Sequence, residues 1–506
     1  MSRLKRATRA TIFAQAFNWA GLLLSLFTIP LYLEWLGQER YGVFLTGVAF
    51  GSYLMFTDVG LTWGSMLLIA QANGRDDRSE IQSIVRTSFS LASLSAGVVV
   101  ATTVSCYWLL TSSDLLSRWF PLHPESPGLL LAVGASVVCN QLIAPVYNVF
   151  NGLQETHLSA IYQGSARILG SLSALAVANV GAALGWVLAA NVLAATVLGA
   201  LATLHCCHRH PWAFRRGPFW VSADVRRHLR TGGKTFGMQV GNVMWVTAPV
   251  VSISTFAGAH LVPFFSVPMS LLNAPLGALN SLNASMQAGY GEAMGRGERE
   301  WIARTVQRIL QQVLALLGLL GCGFLLLANN FVRLWTSGKI ELEDRMLVAV
   351  LAIGCTSALT GVFRFTLTGI NQHRRAAMSE LMCGVLALLL GSLFVWRFGY
   401  QSIGLAVILA TGLTSGWMLP RELRRALGKS NGFWPDEGFI TRLAMTVCCT
   451  SLAGWAALAG SATLPPLVGI LLVGLTCLAV FLVLSGFLLQ PQVVALRQVI
   501  RFATGR

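Results

Sequence analysis

The chain has 506 residues, 55% of them hydrophobic and only 11% charged, with a net charge of +16 and a mean hydropathy of +0.64. Soluble domains carry about 25% charged residues, so a water-soluble globular protein is excluded. No segment is low in complexity, which excludes disordered and fibrous classes.

A helix needs about 20 mostly apolar residues to cross hydrocarbon. In chain order such stretches fall at 12–33, 43–69, 88–111, 128–151, 164–181, 183–204, 235–257, 264–290, 309–329, 346–370, 380–396, 401–419, 441–460 and 465–489, which predicts fourteen transmembrane helices. Continuous runs of this length exclude a β-barrel, whose strands are short and alternating. Three signals are weaker than the rest. Little more than Gly181-Ala182 separates 164–181 from 183–204, and 264–290 carries several amides. The opening Ser2-Arg3-Leu4-Lys5-Arg6 before an apolar run has the form of a secretion signal. No small-residue cleavage site follows it, so it reads as a retained first helix.

The basic residues set the orientation. With the N-terminus inside, the inner segments hold 29 of the 36 Lys and Arg. The outer ones hold Arg40, Arg118, Arg333, Lys339, Arg345 and Arg397, and Arg364 alone falls within a span. The positive-inside rule therefore predicts both termini in the cytoplasm. The charge faces an anionic leaflet. Nucleic acid is not a predicted partner, because the charge is divided among eight short segments with no folded module to present it. The longest such segment, 205–234, is too short for a catalytic domain, and no Walker-type phosphate loop is present. His205-Cys206-Cys207-His208-Arg209-His210 has the composition of a zinc site, but its basic neighbours repel a cation. Neither metal nor cofactor is predicted.

Two matches suggest an internal duplication. Gln15-x-x-Asn18 recurs as Gln239-x-x-Asn242, and Asn151-Gly152-Leu153-Gln154 is echoed by Thr368-Gly369-Ile370-Asn371 at nearly the same offset. They occupy the same places in the helix order. The expected fold is an all-α polytopic membrane protein with two pseudo-symmetric six-helix lobes and two C-terminal helices. Residues 1–204 form the first lobe, 205–234 a basic cytoplasmic loop, 235–419 the second lobe, and 420–506 the last two helices and tail. Parallel repeats of this kind bind substrate between lobes and alternate access.

Asp58 and Arg364 are the charges at membrane depth. Each costs roughly 3 kcal/mol facing lipid and so belongs in a protein interior or a wet cavity. They lie in opposite lobes and are candidates to pair across a cleft. Arg364 shares a polar stripe with Ser357, Thr360, Thr368 and Asn371. A second stripe holds Asn273, Asn280 and Gln287, with Asn283 beside it, and a third Asn140, Tyr147, Asn148 and Asn151. Gln15, Asn18, Gln239 and Asn242 add to the first helix of each lobe. Amides also bind helices to one another. Many amides and hydroxyls suit a sugar, and a lone buried Arg suits a phosphate or pyrophosphate. A single membrane carboxylate argues against a cation-driven drug pump.

Ile29-Pro30-Leu31-Tyr32-Leu33-x-x-Leu36-Gly37-x-Glu39-x-Tyr41-Gly42-Val43-Phe44 resembles the first outer turn of the polysaccharide transporter family, the Wzx-type O-antigen and exopolysaccharide repeat-unit flippases. Thr57-Asp58-Val59-Gly60-Leu61 and the basic Arg3-Leu4-Lys5-Arg6 resemble that family too. The family shares a superfamily with multidrug-and-toxin exporters and lipid II flippases. The resemblance implies a transporter rather than an enzyme. Its cargo would be a polyprenyl-pyrophosphate-linked glycan carried to the outer leaflet, with membrane lipids and the polysaccharide polymerase machinery as partners. Pro30, Pro249, Pro268, Pro275 and Gly277 would supply helix bends, and Asp58 would be a candidate ion carrier. Arg86 and Arg167, near span ends, would supplement Arg364. A multidrug or cation antiporter and a lipid II-type flippase are the alternatives within the superfamily. A membrane glycosyl-transfer enzyme relying on Glu125 or Arg118 is the alternative outside it.

Overall fold

The computed structural model describes residues 3–58, 60–112, 123–214, 222–370, 372–428, 432–461 and 464–488. Regular structure among them is helical throughout, with no strand. In the first part of the chain the helices are α1 (Arg3–Trp35), α2 (Gly37–Leu54), α3 (Leu61–Gly74), α4 (Arg78–Ser112), α5 (Ser126–Gly152), α6 (Thr156–Asn179), α7 (Leu184–Arg209) and α8 (Ser222–Phe256). There follow α9 (Val262–Ser285), α10 (Gln287–Gly295), α11 (Arg299–Trp335), α12 (Asp344–Gly369), α13 (His373–Phe398), α14 (Ile403–Leu413), α15 (Ser415–Leu427), α16 (Glu437–Gly460) and α17 (Pro466–Leu488). Helix satisfies every backbone group within its own segment, which hydrocarbon demands.

Ten spans are long and apolar enough to cross a membrane, and the protein is a multi-pass membrane protein. The remaining expected crossings have physical reasons for a weaker signal. The second breaks between α2 and α3, after a short 3-10 turn at Met55–Asp58. Gly60 begins α3 with φ +74, and a Cβ there would lie 2.5 Å from the Gly232 carbonyl oxygen, so only glycine fits. The eighth breaks between α9, which holds Pro268 and Pro275, and α10. Helix α6 carries Gln163 and Arg167 within its 24 residues.

By packing, the chain divides into two compact units, residues 1–263 and 264–506. In the first, α6 lies against α1 and α7, α5 against α3, α4 and α7, and α8 against α2, α3 and α4. In the second, α12 packs on α10, α11, α14 and α15, and α13 on α14 and α15, while α16 and α17 dock together on α11. Helix α8, expected to open the second lobe, packs within the first unit.

The turns repeat. Gly37 after α1 and Gly258 after α8 both have positive φ. The same offset relates Asp76 (φ 53) to Gly297 (φ 76), each followed by an amide reaching five residues back: Asp77 N–H to Ala72 O at 3.1 Å, and Glu298 N–H to Ala293 O at 2.9 Å. Between α5 and α6, Glu155 N–H bonds Phe150 O at 2.7 Å. At the matching turn between α12 and α13, Gln372 N–H bonds Leu367 O at 2.9 Å. Gly181 (φ 70) and Gly399 (φ 83) close the series. Glycines at matching helix ends also permit matching close approaches. A Cβ on Gly152 would sit 2.5 Å from Ile69 of α3, and one on Gly369 would sit 2.8 Å from the Gln287 carbonyl of α10. The register that aligns Gly37 with Gly258 sets Asn18, rather than Gln15, opposite Gln239. The Gln-x-x-Asn match is thus about one helical turn out of step.

Candidate functional site

In the second unit, three helices bring polar groups together. Gly361 of α12 has no side chain, and a Cβ there would lie 3.1 Å from Asn280 Oδ1 of α9 and 4.0 Å from Arg364 Nη2. Arg364 Nη1 stands 3.6 Å from Glu380 Oε2 of α13, with side-chain exposures of 18% and 7%. The guanidinium also lies 5.6 Å from the centroid of the Phe365 ring. Two buried atoms here have no hydrogen-bond partner, Glu380 Oε1 and Asn280 Oδ1, and Asn283 Nδ2, three residues further along α9, is also buried and unpartnered. Arg364 is five residues from the end of α12, about 8 Å along the axis, and Glu380 is seven residues into α13.

Glu380 is the main correction to the sequence reading. Starting the eleventh span at residue 380 left it as a loop acid. The helix begins at His373, and Glu380 is 6% exposed within it. Glu380 is therefore a second buried or half-buried acid within the helical segments, in addition to Asp58. Arg167 needs a similar correction. It lies eleven residues into the 24-residue α6, about 17 Å from either end, with its aliphatic stem 3.7 Å from a Cβ built on Gly21 of α1.

In the first unit, Asp58 ends the 3-10 turn between α2 and α3 and is half-buried. Its neighbour Thr57 anchors this break. The Thr57 hydroxyl donates to Leu54 O at 2.8 Å and accepts from Gln141 Nε2 at 2.8 Å and Ser95 Oγ at 3.2 Å. Neither Gln141 nor Ser95 stood out in the sequence, because single polar residues in apolar runs carry no pattern. Arg86 of α4 is half-buried, with an unpartnered Nε.

The other expected residues divide by environment. Asn148 is buried, Gln239, Asn242 and Gln287 are half-buried, and Asn273 is exposed. Asn140 is exposed and donates to Ser136 O of its own helix at 2.9 Å. Thr360 and Thr368 donate to Thr356 O and Arg364 O at 2.8 and 2.7 Å, so their hydrogens serve their own helix. The side chains of Gln15 and Asn18, and all of Asn371 and Arg118, lie outside the described residues.

The histidine-cysteine cluster is taken up by packing. Tyr162 Oη and His205 Nδ1 are 3.0 Å apart, and His210 Nε2 and Arg209 Nη2 each lie 3.0 Å from Glu155. Burial raises the Glu155 carboxyl, but its bonds to His210 and Arg209 outweigh that and hold it below the usual range. At the opposite end of α5, Glu125 ties three elements. Its Oε1 pairs with Arg40 Nε at 2.7 Å, its Oε2 accepts from Leu184 N–H at 2.5 Å, and Arg40 Nη2 donates to Ala182 O at 2.8 Å. Glu343 holds the matching place just before α12, and accepts from Tyr400 Oη at 3.3 Å and from Gln401 Nε2. In each unit a glutamate latches the turn that follows the next helix.

Two units with matching turns and broken second helices define an all-helical, multi-pass membrane fold built from two repeats. The fold is that of the lipid II flippase MurJ in an inward closed conformation, at TM-score 0.71 and 12% identity, covering 94% of this chain and 98% of that one. It is shared with an inward-facing multidrug resistance MATE family transporter of the MOP superfamily, at 0.56 and 15% over 82% and 99%. An outward-facing MATE structure matches at 0.55 and 16% over 85% and 98%. The chain belongs to the polysaccharide biosynthesis protein family, whose model matches residues 8–286. No curated protein matches it.

Proposed function

We propose that this protein is a flippase that moves a polyprenyl-pyrophosphate-linked oligosaccharide from the cytoplasmic to the outer leaflet of a bacterial inner membrane, for O-antigen or exopolysaccharide synthesis. The observation that carries this reading is the Arg364–Glu380 pair near the unpartnered Asn280 Oδ1, in a chain of the polysaccharide biosynthesis family. A guanidinium recognises phosphate through paired N–H donors, and amides recognise sugar hydroxyls. Fourteen helices cross the membrane: the ten apolar ones, α1, α6 and the broken pairs α2/α3 and α9/α10. The basic ends face the cytoplasm, as do both termini. Residues 1–204 and 235–419 act as the two lobes and alternate access to the cargo, joined by 205–234 and followed by 420–506. Arg167 and Arg364 offer one deep cation from each repeat, and Asp58 sits at the helix break of the first. Asn148, Gln239, Asn242 and Gln287 are further cavity candidates. The polysaccharide polymerase machinery receives the product.

Mass spectrometry of polyprenyl-linked glycans from a deletion strain tests this. The expected result is accumulation of one complete lipid-linked repeat unit facing the cytoplasm, with surface glycan lost. Unchanged surface glycan and no accumulation would overturn it. The likeness to MurJ supports a second reading, a lipid II flippase. That reading requires the gene to rescue cells depleted of their lipid II flippase.

A further inference from the structure

We propose that Glu380 is a resident counter-ion for Arg364, which surrenders the guanidinium to the phosphate of the cargo and reclaims it on release. The inference rests on the flippase reading and concerns how tightly its cargo is held. The pair is close enough to attract but, at 3.6 Å, too long for a hydrogen bond. The second carboxylate oxygen is buried with no partner at all. A buried ion pair offsets its desolvation only when its remaining hydrogen-bonding groups are satisfied. This one leaves Glu380 Oε1 unsatisfied, so the carboxylate is a poor structural brace. It is suited to exchange, because a phosphate offers the guanidinium two short bonds where the carboxylate offers none.

The surroundings favour the same reading. Gly361 keeps the space beside Arg364 Nη2 free of a side chain, and Asn280 Oδ1 borders that space. Asn283 Nδ2, 3% exposed at the residue level, is an unpartnered donor on the same helix as Asn280. The repeat shows what the fold needs without the charges. In the register that aligns the turn after α5 with the turn after α12, Arg364 corresponds to Tyr147 and Glu380 to Gln163, whose Nε2 bonds Ser159 Oγ of its own helix at 2.7 Å. Packing of these two helices therefore does not require an ion pair. An arginine with no anionic neighbour holds a pyrophosphate more firmly than one already paired with a carboxylate. A competing carboxylate lowers that affinity to a level from which the cargo can leave.

The test uses the purified full chain in lipid nanodiscs, with geranylgeranyl pyrophosphate as the probe and geranylgeraniol as the phosphate-free control. Glu380→Gln should bind the pyrophosphate about tenfold more tightly, a gain of about 1.4 kcal/mol, with geranylgeraniol binding unchanged. In cells it should lower surface glycan despite the tighter binding. Glu380→Asp should restore the wild-type affinity, which a purely structural role would not predict. Arg364→Gln should lose the pyrophosphate preference whether or not Glu380→Gln is present. Wild-type binding of the probe that Glu380→Gln leaves unchanged or weakens would overturn the counter-ion role alone. If Glu380→Gln does not fold, Glu380→Asp must match the wild type and Arg364→Gln must lose the preference, and failure of either overturns the role. Absence of any pyrophosphate preference in the wild-type protein would overturn both this role and the flippase reading.

Discussion

The two repeats share their turns and differ in their chemistry. At matching positions both place a left-handed residue after the first helix, a five-residue back-bond before the fifth, and a glutamate ahead of the fourth that latches the turn between the fifth and sixth. Yet where the second has Arg364 and Glu380, the first has Tyr147 and Gln163, and Arg167 of the first stands opposite Gly384 of the second. A turn has few backbone solutions, and those demand glycine or a short polar residue. A membrane-depth side chain needs only to fill its space and satisfy its polar atoms. The duplication therefore fixes the frame and leaves the interior free to diverge.

The comparison breaks most sharply at the ion pair. Arg364→Ala should abolish surface glycan and destabilise the protein by about 3–5 kcal/mol, because Glu380 is left buried without a counter-charge. Tyr147→Phe, at the matching position, should leave both nearly unchanged. Complementation of a deletion strain and thermal unfolding in detergent measure the two effects. Arg364→Lys should retain part of the transport, since it keeps the charge and loses the planar fork.

Next in size is the helix break of the first unit. Gly60→Ala combines a left-handed backbone with a Cβ 2.5 Å from the Gly232 carbonyl, and should cost about 2–3 kcal/mol. Unfolding of the detergent-solubilised variant gives the number. A loss under about 0.5 kcal/mol, the range of an ordinary surface substitution, would mean that α8 shifts freely against α3.

The glutamate latches should differ less. Burial raises the Glu125 carboxyl, but the Arg40 side chain and the Leu184 N–H outweigh it and hold it below the ordinary 4.5. A depressed acid contributes stability above the unfolded pKa and loses it as pH falls through the folded value. Glu125→Gln should therefore lower the unfolding free energy at pH 7 by at most about 1 kcal/mol, and the accompanying drop in Tm should vanish as the pH is taken well below 4.5. A margin that grows on acidification would contradict the latch.

The smallest effect belongs to the turn before α11. Asp76 already holds at φ 53 the conformation that Gly297 holds at φ 76, and a Cβ on Gly297 meets nothing within 4 Å. Gly297→Asp should change stability by less than about 1 kcal/mol. A larger loss would show that the two turns are less alike than their backbones.

The frame was legible in the sequence because hydrocarbon thickness imposes long apolar runs and turns impose glycine. The site was legible only in part. Arg364 declared itself as a charge within an apolar run. Glu380 did not, because it follows the basic stretch His373-Arg374-Arg375 and reads as the end of a loop until the helix start is known. Gln141 and Ser95 were invisible for another reason: they matter through Thr57, a contact between helices that no spacing along one of them encodes. Asn140 and Thr360 were conspicuous by spacing, yet they bond their own backbones.

Helix α8 begins the second repeat but packs with the first unit. A gene split between the repeats, between α7 and α8, would produce a second fragment whose leading helix has its neighbours α2, α3 and α4 on the other polypeptide. A split in the turn at Ala259–Leu261 would keep α8 with those neighbours. Co-expressed fragments of the first kind must find each other to bury that helix, whereas in those of the second kind the first fragment alone carries the helix with these neighbours.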